Sequence, residues 1–93
     1  MRVTVTFLGI IRDQVGSRSL DFELPSRATM RDLLDALAPQ LEGRLADWAW
    51  DHERRMFTEK VMVSRNLVPG GRDEPMTLAD GDEILVFPPI AGG

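Results

Sequence analysis

A chain of 93 residues is long enough for one domain with a single modest core and too short for two. Its net charge of −4 and pI near 4.8 argue against the basic stripe of a nucleic-acid binder. The lack of any cysteine removes disulfides, thiolate metal sites, iron–sulfur clusters and a cysteine nucleophile together.

In chain order, residues 2–8 alternate, with Val3, Val5 and Phe7 on one face and Thr4, Thr6 and Leu8 on the other. This period of two, rich in β-branched residues, predicts a strand. The strand-like start lacks the apolar core of a signal peptide, and no stretch is long enough to span a bilayer, so a cytoplasmic protein without membrane contact is expected. Gly9 breaks the strand, and residues 10–17 read as an apolar-anchored loop or short turn. Leu20, Phe22 and Leu24 alternate with Asp21 and Glu23, giving a second strand that ends at Pro25 and pairs antiparallel with the first.

Thr29 and Asp32 have the spacing of a capping box, with Asp replacing the usual Glu. Met30, Leu33, Leu34, Leu37 and Leu41 then recur at helical spacing, which predicts an amphipathic helix packed on a sheet. Pro39 is expected to end or kink it near Ala38. Residues 42–56 read as a second short helix or a helical turn. A third strand is expected over 60–64, a turn at Ser64-Arg65-Asn66, a short strand at Leu67-Val68 and a loop from Pro69 to Pro75. Asp80-Gly81 turns into the last strand, 83–87, by supplying positive φ cheaply.

The first and last strands are the most apolar, which suits central sheet positions. The compact solution is an α+β two-layer domain: a mixed sheet curled round one main helix. The body is expected over 1–87, with an extended tail over 88–93. That tail, Pro88-Pro89-Ile90-Ala91-Gly92-Gly93, begins with two prolines that favour extended backbone. Six residues at about 3.3 Å each reach roughly 20 Å. The last two have no side chains, so they fit a passage too narrow for other residues. The terminal carboxylate is thereby singled out as the working group.

Residues 78–93 resemble the C-terminus of the MoaD/ThiS family of sulfur carriers, in particular its molybdopterin-synthase small-subunit branch. Arg12-Asp13-Gln14-Val15-Gly16 is similar to that family's Arg-acidic-x-x-Gly loop. The resemblance implies a ubiquitin-like β-grasp fold and a cycle centred on Gly93, with Gly92 beside it. An ATP- and magnesium-using enzyme of the MoeB/ThiF type would adenylylate the Gly93 carboxylate. Sulfur from a persulfide donor protein would then displace AMP to leave a thiocarboxylate. A MoaE-like large synthase subunit would receive the tail and pass the sulfur to a cyclic pterin phosphate. The chain itself would hold no cofactor or metal and supply no catalytic side chain.

Partner contacts are expected at Leu8, Arg12, Leu85, Phe87, Pro88, Pro89, Ile90 and Ala91. Leu8 and Phe87 match the family's docking positions, beside Thr4 and Thr6 on the face away from the helix. The same activated terminus also suits a carrier for thiamin, cysteine or tRNA thiolation, or a protein modifier joined to lysine through Gly93. His52 reads as solvated, and Asp80, Asp82 and Glu83 as a turn leading into a strand. Trp48 and Trp50 suit either the core edge or a partner surface. Gly70-Gly71 has no Lys-Ser/Thr after it and is no phosphate loop.

Overall fold

A computed structural model describes residues 1–66, 68–69 and 77–89. Strand β1 (Arg2–Phe7) is followed by helix α1 (Gly9–Val15), strand β2 (Ser19–Glu23) and helix α2 (Met30–Leu41). Two short strands, β3 (Trp50–Asp51) and β4 (Met56–Phe57), form a separate hairpin. Strands β5 (Met62–Arg65), β6 (Val68–Pro69) and β7 (Glu83–Phe87) complete the main sheet, whose order is β2-β1-β7-β5-β6. Only the β1–β7 pair is parallel among these neighbours. The first and last strands therefore do take the inner positions, and the last lies at the centre.

Alternation sorts the sheet. Val3, Val5, Phe7, Val63, Ile84 and Val86 are buried on one face. Met30, Leu33, Leu34, Leu37 and Leu41 of α2 join the same core. Burying one such side chain contributes about 1.5–3 kcal/mol. The helix starts as its sequence dictates. The Thr29 hydroxyl accepts from the Asp32 amide, and the Asp32 carboxylate accepts from the Thr29 amide at 2.8 Å. The arrangement is the ubiquitin-like β-grasp.

Several elements depart from the sequence expectations. Residues 9–15 form a helix instead of a loop, because Ile11 and Val15 lie four apart and are both buried. Gly16, at φ 84, closes it, and its amide donates to the Arg12 carbonyl at 2.9 Å. Pro39 does not end α2, which continues to Leu41. Exposed and in the last turn, Pro39 forfeits one bond to the Asp35 carbonyl while buried Leu41 holds that turn to the core. The third main strand begins at Met62, two residues later than expected, and the short strand is Val68–Pro69. Leu67 and Gly70-Gly71 lie outside the described residues.

Residues 42–57 hold no second helix beyond isolated turns, and end in the β3–β4 hairpin. Trp50 is fully buried and meets Phe57 edge-on, with ring centroids 5.0 Å apart. This contact, with its aromatic payload, draws the segment into the core. Its outer turns are tied down by Arg31, which pairs with Asp35 at 2.9 Å and donates to the Arg54 carbonyl at 3.0 Å and to that of Arg55. Gln14 Oε1 accepts from the Ala46 amide at 2.8 Å.

Candidate functional site

Because β7 is central, the chain leaves the body from the middle of the sheet, gripped on both sides. The β1–β7 register pairs Thr6 with Leu85, and the β5–β7 register pairs Met62 with Phe87. Parity places Thr4, Thr6, Glu83, Leu85, Phe87 and Met62 on the face away from α2. The Leu8 amide donates to the Val86 carbonyl at 3.0 Å, so the pairing continues past Phe7 and sets Leu8 alongside Phe87. An apolar row, Leu8–Phe87–Met62, thus crosses three strands at the end where the tail departs. Leu8 and Met62 are each 41% exposed, and Leu85 and Phe87 are half-buried. Away from the tail the same face is polar, with Thr4 donating to Asp21 at 2.8 Å and Arg2 paired with Glu23 at 3.3 Å. A localised apolar patch on an otherwise polar face is a contact surface in form.

The tail base has a fixed seat. Gly9 stands at φ +60, and a Cβ there would lie 3.3 Å from Pro88 Cγ. Glycine suits both the left-handed backbone and the close approach of the proline. Pro88 is half-buried on this seat and Pro89 is exposed.

The other end of β7 is held by Asp82, which is 5% exposed. Its Oδ2 accepts from Arg65 Nε at 2.9 Å, from Arg65 Nη2 at 2.8 Å and from the Ala79 amide at 2.8 Å. Its Oδ1 accepts from Asn66 Nδ2 at 2.9 Å. Asn66, at φ 49, also accepts from the Glu83 amide through Oδ1 at 2.8 Å. Burial pushes the Asp82 carboxyl up, but the Ala79 amide, the Asn66 amide group and the Arg65 guanidinium outweigh it and hold the carboxyl below its ordinary range. Nearby Asp80 accepts from the Arg2 amide at 2.7 Å, and Gly81 takes φ 86. The acidic run thus does build the turn into β7.

Leu8, Leu85, Phe87, Pro88 and Pro89 are brought together by these registers. Arg12 is not placed in the row by them; it is exposed on α1, its Nε 4.0 Å from Asp13. Ile90, Ala91, Gly92 and Gly93 lie outside the described residues. Met62 escaped the sequence reading, although the period of two along its strand carries the signal. Trp48 is exposed, unlike Trp50. His52 is exposed but not merely solvated, since its Nε2 lies 3.1 Å from Asp47 Oδ1. Among the described residues no three His, Asp or Glu side chains converge as a metal site, and no helix is long and apolar enough to cross a membrane.

A β-grasp body whose central strand, β7, passes an apolar face and leads into Pro88-Pro89 has the fold of ubiquitin-like carriers and modifiers. Within it, the chain belongs to the ThiS family, which it matches over residues 5–93. It is 31% identical over 94 residues to small archaeal modifier protein 3 of Haloferax volcanii, and the match covers 100% of both chains. It is 35% identical over 101 residues to the molybdopterin synthase sulfur carrier subunit of Aedes aegypti, covering 100% of this chain and 90% of that one. The crystal structure of SAMP1 from Haloferax volcanii superposes with a TM-score of 0.75 at 28% identity, covering 100% of each chain. The family comprises sulfur carriers and ubiquitin-like modifiers.

Proposed function

We propose that the chain carries sulfur as a thiocarboxylate on Gly93 and delivers it as the small subunit of a molybdopterin synthase. The observation that supports this reading is the central position of β7, which presents the tail beside the row Leu8–Phe87–Met62. A carboxylate is a poor acyl electrophile, so an activating partner attaches AMP from ATP, with magnesium held by that partner. A persulfide donor protein then supplies the sulfur that takes the place of AMP. The large synthase subunit docks on the apolar row and receives Pro88-Pro89-Ile90-Ala91 as a thread, with Gly92 and Gly93 at its reacting end. A second reading, a protein modifier joined to lysine through Gly93, is favoured by the full-length similarity to small archaeal modifier protein 3.

Intact mass spectrometry after co-expression with an adenylylating enzyme tests both. Exchange of one oxygen for sulfur on the free chain is expected of the carrier, and lysine adducts of other proteins are expected of the modifier. Transfer of that sulfur to a pterin by a co-purified large subunit would identify the synthase branch. An alanine added after Gly93 should abolish activation. If the extended chain is activated as well as the native one, the terminal carboxylate is not the working group.

A further inference from the structure

We propose that Lys60 is the acceptor at which a second copy of this chain becomes attached through its Gly93 carbonyl, giving polymers of a single linkage. The inference rests on the reading that Gly93 is activated as an acyl adenylate.

Amide formation needs a primary amine, and this chain has very few. Lys60 is its sole lysine among 11 Lys and Arg residues. The arginines cannot deprotonate to act as nucleophiles. The one other primary amine, that of Met1, is partly buried and donates to the Leu24 carbonyl at 2.6 Å. Lys60 is exposed in the turn before β5. It stands two residues ahead of Met62, which pairs with Phe87, so the lysine lies at the sheet end from which the tail departs. The tail of the same copy is a poor donor to it. The two prolines that follow β7 favour extended backbone and so carry the chain on past Lys60. The acyl group therefore comes from another copy.

The step balances without a redox partner. ATP adenylylates the donor carboxylate and releases pyrophosphate. The Lys60 ammonium gives up a proton, and its Nζ forms a bond to the Gly93 carbonyl carbon. The bond from that carbon to the phosphate oxygen breaks, AMP leaves, and a second proton is lost as the amide forms.

The test uses the full chain with an adenylylating enzyme and ATP. Hydroxylamine is added in a parallel sample to capture the activated carbonyl as a hydroxamate. Expected are a dimer and higher multimers, and after trypsin a branched peptide in which Lys60 carries residues 73–93 of another chain. In Lys60→Arg the multimers should be lost while the hydroxamate yield is unchanged. Three results would overturn the proposal alone, each with hydroxamate present: no multimer, multimers undiminished in Lys60→Arg, or a monomer lighter by one water. Absence of hydroxamate would remove the activation reading and this proposal together.

Discussion

Replacing Asp82 with alanine tests the account of how β7 is held. The carboxylate side chain is 6% exposed, and its partner Arg65 is 29% exposed. Removing one member of a buried ion pair costs about 3–5 kcal/mol, because the other charge loses its compensation. Here Arg65 regains some water and Asn66 keeps its bond to Glu83, which lowers the expected loss to about 2–3 kcal/mol. For a domain of this size that is a fall in melting temperature of roughly 10–20 °C. Urea and thermal denaturation of Asp82→Ala, Arg65→Ala and the double variant measure both the loss and the coupling. The singles should be non-additive by more than about 1 kcal/mol.

The sign with pH follows from the same contacts. Asp82 is held below its ordinary value in the folded chain, so the unfolded chain takes up the proton first as the solution is acidified. The contribution is full above the unfolded value, about 3.9, and is lost as pH falls through the lower folded value. Asp82→Asn should flatten that part of the stability profile. A loss under about 0.5 kcal/mol in Asp82→Ala, or an unchanged acid slope in Asp82→Asn, would refute the anchoring role.

Gly9→Ala should destabilise by about 1–2 kcal/mol from its left-handed backbone, and its methyl group should displace Pro88. Chemical shifts of Pro88 and the denaturation midpoint read the two effects separately, and unchanged Pro88 shifts would contradict the seat. Phe87→Ala should weaken the large-subunit complex by more than about tenfold, the range of a contact hot spot, while costing about 1 kcal/mol of stability because the ring is half-buried. Equal losses in a binding titration and a melt would count against docking there.

Legibility from the sequence followed the range of the interactions. The alternation of Val3, Val5 and Phe7 and the Thr29–Asp32 cap are local patterns, so β1 and the start of α2 were readable directly. Helix α1 was obscured because Gly9 reads as a breaker and only Ile11 and Val15 mark its buried side. Its clearest local mark was Gly16, which suits the residue just past a helix. The β3–β4 hairpin depends on Trp50 meeting Phe57, and the Asp82 anchor depends on Arg65 and Asn66. Neither pairing has a local signature. The tail was conspicuous in composition; the period of two marked the face of Met62, and the β5–β7 register then set it beside Phe87 in the apolar row.

The parallel contact between β1 and β7 has a mechanical consequence. If Met1 is pulled one way and the tail the other, the hydrogen bonds between these strands are loaded together in shear instead of opening one by one. Force applied through the residues that follow β7 thus meets its greatest resistance at the innermost pair of strands. The exit of the chain from the body is fastened to the part of the sheet hardest to peel apart.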